Sequence, residues 1–134
     1  MKEIDDNTLQ PEGELMMQLP AGSEATNMFG DVYGGWVAAK MVQASEIYSA
    51  RLSHGRVSTV SIGKMTFMSP VLSSSIMSFY TRLTDRGNSS LKITVEAWAC
   101  SADGSDMRKV TEAECVQVAI DGHGHIRALD YHHK

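Results

Sequence analysis

The residues best suited to chemistry lie between Asn27 and Trp36, in a loop interrupted by Gly30, Gly34 and Gly35 that leads into a helix. The first N–H groups of a helix lack acceptors within it. Those near the two adjacent glycines and the tryptophan therefore favour an anion, or a carbonyl oxygen that gains negative charge. The amide of Asn27 can bind a water or an acyl oxygen. The residues leave a structural alternative open, in which the glycines serve only the chain reversal and Asn27 only caps the loop.

The segment that follows this loop predicts one long helix. Residues 35–51 contain no proline and are rich in good helix formers. Apolar side chains cover most of the helix circumference, which indicates burial on nearly all sides. The sequence after this segment has the pattern of strands. We therefore expect an α+β protein in which an antiparallel sheet packs against one central helix.

Five segments carry strand patterns, and short polar turns between the later ones favour an antiparallel meander. The predicted strands cover residues 14–19, 56–68, 76–84, 91–100 and 109–120. The second changes from even to odd apolar positions around Gly63 and Lys64, which predicts a β-bulge there. The fourth alternates cleanly between an apolar and a more polar face. All five fit one domain, residues 1–134, with its core at about 14–121.

Composition excludes several classes of function. The net charge of −4 argues against general nucleic-acid binding. No apolar run is long enough for membrane insertion, and the acidic start is unlike a signal peptide. Cys100 and Cys115 fall inside strand patterns, so we expect reduced thiols and a cytoplasmic protein. No histidine or cysteine cluster has metal-ligand spacing, and no dinucleotide, Walker or Gly-x-Ser-x-Gly motif is present. We expect neither a metal nor a cofactor.

Six short motifs follow one another along nearly the whole chain. They are Asn-x-x-Gly-Asp-Val-Tyr-Gly-Gly-Trp at 27–36, His-Gly-Arg-Val-Ser-Thr-Val at 54–60, Met-Thr-Phe at 65–67 with Pro-Val at 70–71, Arg-Gly-Asn-Ser-Ser at 86–90, Lys-Val-Thr-Glu-Ala at 109–113, and Arg-Ala-Leu at 127–129. Each motif alone is weak, but the ordered set resembles the hotdog-fold acyl-CoA thioesterases, in particular the small bacterial YciA-type hydrolases.

This resemblance implies a hotdog fold that self-associates as a dimer or a hexamer, with the active site at the dimer interface. The implied reaction is hydrolysis of acyl-CoA to a fatty acid and free CoA. By position, Gly35 and Trp36 would donate to the thioester oxygen, Asn27 would orient the thioester or the water, and Phe67 and Pro70 would wall the acyl tunnel. The residues that would hold CoA are Arg56, Lys64, Arg86, Gly87, Asn88, Ser89, Ser90 and Lys109. For each basic residue, a solvated sheet face is the alternative.

One departure from the family pattern bears on activity. The family carries a catalytic aspartate on the central helix, seven residues after the second glycine, and Val42 occupies that position here. Valine can neither accept a proton from water nor attack a thioester. Glu46 lies one turn later on the same helix face and is a candidate replacement base, although the displacement along the axis is about 6 Å. Its structural alternative is a place on the polar edge of the helix.

Three functions remain open. The first is an acyl-CoA thioesterase whose activity is weakened by Val42 and which uses Glu46 or a bound water. The second is a non-hydrolytic acyl-CoA or CoA binder. The third, hydration or dehydration of an acyl thioester, is disfavoured because the resemblance would require a histidine in or near the loop, and neither loop nor helix contains one.

Overall fold

The structure, a computed structural model, describes residues 10–129. It contains one long helix, α1 (Gly34–Ser53), and five strands. The strands are β1 (Glu14–Pro20), β2 (Val57–Ile62), β3 (Ile76–Arg86), β4 (Ser90–Cys100) and β5 (Met107–Ala119). A short 3-10 helix (Ser23–Ala25) precedes α1. The α+β architecture predicted from the sequence is confirmed. Within these residues, no helix is long and apolar enough to cross a membrane.

All strand pairs are antiparallel, in the spatial order β1-β3-β4-β5-β2. The predicted meander holds for β3, β4 and β5. The strand that follows the helix instead crosses the sheet and pairs with β5, so β2 lies at one edge and β1 at the other. Two exposed apolar side chains on β2, Val60 and Ile62, are 59% and 53% exposed. Among the described residues, the outer edge of β2 is therefore unpaired and partly apolar.

The core lies between α1 and one face of the sheet. The alternation of β4 positions every second side chain, from Leu91 to Ala99, on the helix side, where each is at most 2% exposed. Val37, Met41 and Ala44 of the helix complete the contact. The clean alternation read from the sequence is confirmed here.

The helix is buried on one side only in the single chain. Gly35, Ala39, Gln43 and Ile47 are exposed, and Ile47 retains 44% of its accessible surface. The expectation of burial nearly all round is therefore wrong for this flank of the isolated chain. The exposed flank carries small and apolar residues, which suit close contact with another surface.

The predicted strand at 56–68 is corrected at its end. β2 stops at Ile62, and its register shift lies between Thr59 and Ser61, not at Gly63 and Lys64. The chain nevertheless stays beside β5, because the N–H of Gly63 donates to the Glu114 carbonyl at 2.7 Å. The change of parity in the sequence thus reflects both the early register shift and the end of the strand. The other strand ends differ from prediction by one to two residues.

A buried ionic cluster lies on the sheet face opposite the helix. The carboxylate of Glu96, whose side chain is 3% exposed, accepts hydrogen bonds from the Trp98 indole at 2.8 Å and the Arg82 guanidinium at 2.8 Å. Burial by itself raises the pKa of Glu96. The Trp98 and Arg82 bonds, the Glu12 N–H and the charge of Lys109 outweigh that effect, so the pKa lies below its ordinary value. The cluster binds β3, β4 and β5 together.

Candidate active site

The start of α1 leaves backbone donors without acceptors. The N–H of Trp36 donates to the Tyr33 carbonyl at 3.1 Å, and the N–H of Val37 donates to the same oxygen at 3.5 Å. The N–H groups of Gly34 and Gly35 have no acceptor within residues 10–129. The free donor pair in this geometry is therefore Gly34 and Gly35. The predicted use of Gly35 together with Trp36 remains a prediction, with the Trp36 N–H already partly engaged.

A cavity of about 460 Å³ adjoins this helix start. Gly34 forms part of its wall, facing the Phe67 ring, and the absence of a side chain keeps this space open, because a Cβ on Gly34 would lie 3.3 Å from that ring. Pro70 also lies on the wall, together with Val32, Val37, Met68, Ser69 and Val71, while its role with Phe67 in holding an acyl chain remains a prediction. Backbone donors beside a largely apolar cavity can stabilise negative charge on an oxygen more strongly than water does.

Asn27 organises the loop that leads into the helix. Its Oδ1 accepts the N–H of Phe29 at 2.9 Å and the N–H of Asp31 at 3.1 Å. A backbone N–H can only donate, so the amide oxygen must face the loop and the NH₂ group must face away from it. That group is exposed and has no acceptor in the described part of the chain. The loop-capping role is therefore present, and the amide still offers a donor to a ligand.

On the helix flank, Glu46 is held by a chain of polar groups. The Thr59 hydroxyl lies 2.6 Å from Oε2 of Glu46 and 2.9 Å from the amide oxygen of Gln117. Gln117 in turn contacts the Ser45 hydroxyl at 2.8 Å, and that hydroxyl donates to the Val42 carbonyl at 2.8 Å. No group within residues 10–129 donates to Oε1 of Glu46. One carboxylate oxygen is thus anchored and the other is free to accept a proton.

Cys115 lies beside this chain but is poorly suited to act as a nucleophile. Burial raises the pKa of its thiol, the hydrogen bond with Ser45 lowers it, and the negative charge of Glu46 raises it again, leaving it above its ordinary value. The thiolate is the reactive form, so this thiol is inert near neutral pH. Among the groups of this hydrogen-bonded chain, the Glu46 carboxylate is the one with the right chemistry for a base.

The structure does not bring the backbone donors and Glu46 together within one chain. Eleven residues of helix separate Gly35 from Glu46, about 16 Å along the axis. The two nevertheless share a face, since at about 100° per residue eleven residues end only about 20° past three full turns. Val42 falls about 20° short of two turns from Gly35. One helix face therefore carries the free amides at one end, the position of the family's aspartate in the middle and Glu46 beyond it.

The predicted CoA-binding residues are scattered over several structural roles. Arg56 donates to the carbonyls of Asp121 and Gly122, and Lys109 pairs with Glu112. Lys64 is exposed and has no ion pair within the described residues. Residues 86–90 form the β3–β4 turn, with a cavity of about 60 Å³ beside it. The structure thus groups Gly87, Asn88, Ser89 and Ser90 with Arg86, and it places Arg56 and Lys109 in contacts that also serve the fold. Their roles toward CoA remain predictions.

Three functional candidates were missed by reasoning from the sequence. They are Ser45, Thr59 and Gln117. Thr59 lies inside the 54–60 motif, which is the one signal that could have indicated it. Gln117 occupies the helix-facing row of β5 and is 0% exposed, so a polar residue at an apolar position of a strand was the signal for that site.

The sequence profile of the Thioesterase superfamily matches residues 29–101, and the chain belongs to that superfamily. It is similar to the acyl-CoA thioester hydrolase YciA of Salmonella typhimurium, with 37% identity over 127 residues, covering 92% of this chain and 94% of that protein.

Two solved structures extend this similarity to the fold. The hexameric broad-specificity acyl-coenzyme A thioesterase HI0827 superposes with a TM-score of 0.88 at 32% identity, covering 96% of this chain and 89% of that one. A hexameric hotdog fold thioesterase of Campylobacter jejuni gives a TM-score of 0.81 at 30% identity, covering 88% and 91%. The resemblance to hotdog-fold, YciA-type proteins drawn from the motifs is confirmed. The individual site residues are not tested by these similarities.

Proposed function

We propose that this chain is an acyl-CoA thioester hydrolase that releases free CoA and a fatty acid. The observation that carries the proposal is the pair of unbonded N–H groups at Gly34 and Gly35, beside an apolar cavity, in a member of the Thioesterase superfamily. These donors suit the oxygen of a thioester carbonyl, which gains negative charge when water attacks its carbon. The names of the YciA and HI0827 relatives support acyl-CoA as the substrate.

The complete site requires two copies of the chain. A thioester held at the amides of Gly35 lies about 16 Å from Glu46 of the same helix, too far for one water to bridge. A two-fold axis that sets two α1 helices antiparallel brings the start of one helix opposite the middle of the other. The exposed flank at Gly35 and Ala39 has small residues that permit such an approach. β2, whose Thr59 contacts Glu46 of the same helix, has no partner strand on its outer edge within residues 10–129. The hexameric relatives support self-association of this chain as a dimer or a hexamer.

The chemistry then proceeds with water as the only other reactant. Glu46 of one copy takes a proton from the water as its oxygen bonds to the thioester carbon, and the amides of the other copy hold the resulting oxyanion. When the oxyanion re-forms the carbonyl, the carbon–sulfur bond breaks and the CoA thiolate leaves, taking the proton from Glu46. Asn27 would orient the thioester through its free NH₂ group. This reaction needs no cofactor.

Activity is expected to be weak, because Glu46 lies one turn beyond Val42, where the family has its aspartate. Residues 86–90 with Arg56, Lys64 and Lys109 would contact CoA, and Phe67 and Pro70 would contact the acyl chain. The alternative is a non-hydrolytic acyl-CoA binder, favoured by the valine at position 42. We place the protein in the cytoplasm, where acyl-CoA occurs and where Cys100 and Cys115, both free, stay reduced.

A mixing experiment tests the reaction and the shared site together. Asn27→Ala weakens the amide half of the site, and Glu46→Gln removes the base from the other half. Each variant alone should hydrolyse acyl-CoA far more slowly than the unmodified protein. After joint unfolding and refolding, random pairing puts one intact site in each mixed dimer, so activity should return to about a quarter of the unmodified value.

Glu114→Gln is the matched control, because this exposed glutamate lies on β5 away from the helix. Failure of the mixture to recover activity would place both groups in one chain. Absence of turnover in the unmodified protein, together with tight acyl-CoA binding by calorimetry, would identify a binder.

A further inference from the structure

The polar chain behind Glu46 is more extensive than a structural contact requires. It runs from the carboxylate through Thr59 on β2 and Gln117 on β5 to Ser45 on α1. We propose that Gln117 and Ser45 are positioning residues that act through Thr59 to fix the carboxylate of Glu46 for proton transfer. This inference rests on the proposed function and deepens its assignment of the base.

Burial is the first reason. Gln117 and Ser45 are both 0% exposed, and the adjacent Ala44 on the helix and the same-face neighbours Cys115 and Ala119 on β5 are apolar and also 0% exposed. A buried amide or hydroxyl is unfavourable unless its hydrogen-bonding groups are satisfied. Each end of the Gln117 amide has a partner, at 2.9 Å and 2.8 Å. The buried layer therefore satisfies the hydrogen bonding of this amide. The amide contacts the Thr59 hydroxyl, which binds Glu46.

Counting hydrogens gives the second reason. Thr59 has a single hydroxyl hydrogen and two oxygen neighbours, so it can donate to Glu46 or to Gln117 but not to both. When the amide oxygen of Gln117 faces Thr59, the threonine hydroxyl donates its hydrogen to that oxygen. A hydrogen bond between Thr59 and Glu46 then requires a protonated, neutral Glu46 that donates to the threonine oxygen.

With the amide turned by 180°, the Gln117 NH₂ group donates to Thr59 and Thr59 donates to an ionised Glu46. The Ser45 hydroxyl then donates to the Gln117 oxygen instead of the Val42 carbonyl. The orientation of the Gln117 amide thus determines the direction of the Thr59 hydroxyl hydrogen. Only with the NH₂ group toward Thr59 does that hydroxyl donate to an ionised Glu46, which can act as a base.

For the reaction, these contacts fix the orientation of the Glu46 carboxylate. With Oε2 of Glu46 held by Thr59, Oε1 has no donor among the described residues and is left for the water. A carboxylate fixed in this way loses less freedom in the transition state than one on a mobile side chain. The chain ends at Ser45, less than one turn along α1 from Val42, so the part of the helix that lacks the family's aspartate supports its replacement.

The test compares Gln117→Met and Ser45→Ala with the unmodified protein, by acyl-CoA hydrolysis across a range of pH. Methionine keeps the length of glutamine and removes its hydrogen bonds. We expect kcat to fall about two- to tenfold in both variants with KM unchanged, the range for a lost neutral hydrogen bond. The acid limb of the kcat/KM profile should move to higher pH, because a donor to the ionised carboxylate is weakened. Thr59→Val should show a larger fall in kcat and a larger move of the acid limb. Thr59→Ser keeps the hydroxyl and should behave like the unmodified protein.

Gln18→Met is the matched control, since Gln18 lies on β1, at the sheet edge opposite β2, and its amide donates to the Ser78 hydroxyl outside the site. An unchanged kcat and an unmoved acid limb in folded Gln117→Met and Ser45→Ala would overturn the proposal. If Gln117→Met does not fold, the result for Ser45→Ala decides. Full activity of Glu46→Gln would instead remove the base assignment and this inference with it, leaving the hydrolase intact. Lack of turnover in the unmodified protein would refute the proposed function itself.

Discussion

The position of the base on α1 can be tested by moving the carboxylate back by one turn. Glu46→Gln keeps the shape of the side chain and removes its basicity, so kcat should fall by about 10²–10⁴, the usual contribution of a general base. Adding Val42→Asp to that variant restores a carboxylate at the family position. Positions 42 and 46 lie about 6 Å apart along the axis and about 40° apart around it. Carboxylates at positions 42 and 46 should therefore reach different points along the helix of the partner copy.

The double variant Val42→Asp, Glu46→Gln should recover at least the kcat of the unmodified protein, because the family's arrangement is restored. The helix should tolerate the change. Val42 is only half-buried, and aspartate and valine have similar helix propensities. Val42→Asp alone places two carboxylates at i and i+4, which costs only about 0.2–0.5 kcal/mol of stability.

The assay should separate free CoA from acyl-CoA by chromatography, over a panel of acyl chain lengths, since thiol reagents would also report Cys100. Circular dichroism of every variant controls for folding. The reasoning is refuted if Glu46→Gln retains the unmodified kcat, since Glu46 is then not the base. If Glu46→Gln is inactive and the double variant stays inactive, the thioester is seated at the level of position 46, and the family's geometry does not apply to this chain.

Three further outcomes are expected. Gly34→Ala places a Cβ 3.3 Å from the Phe67 ring, so it should raise KM severalfold while changing the melting temperature by only a few degrees. The lowered pKa of Glu96 means that its contribution to stability is present above its unfolded value of about 4.5 and is lost as pH falls through the folded value. The difference in melting temperature between the unmodified protein and Glu96→Gln should therefore shrink from pH 7 to pH 3, and a constant difference would contradict the ionic role. A thiol reagent should modify Cys100 in the folded protein and Cys115 only after unfolding, because Cys115 is buried and its pKa is raised.

The helix and the strand pattern could be predicted because they depend on neighbours along the chain. Helix propensity and the glycines at 34 and 35 set the start of α1, and alternation sets β4. Strand order could not be predicted in the same way. The crossing of β2 to pair with β5 depends on packing between distant segments, and the change of parity at Gly63 and Lys64 did not locate the register shift, which lies between Thr59 and Ser61.

The site illustrates the same limit. The amide donors were expected near Gly35 and Trp36, but which N–H groups are free depends on how the Tyr33 carbonyl is shared. Glu46 was a candidate because helix periodicity is local. Its partners lie farther along the chain, since Thr59 is 13 residues away and Gln117 joins Thr59 across 58 residues. Only the three-dimensional structure brings these together.

The arrangement around Glu46 favours the hydrolase over the CoA binder. A protein that only holds CoA needs the helix amides, an apolar cavity and positive charge, and it gains nothing from a carboxylate fixed on the far part of the helix. Keeping a half-buried glutamate in place carries a desolvation cost that its hydrogen bonds must offset. Here that offset comes from a threonine at a sheet edge, with a buried glutamine and serine behind it. The glutamate lies on the helix face that also carries the free amides, and in the proposed two-fold contact a second copy would supply the half of the site that each chain lacks.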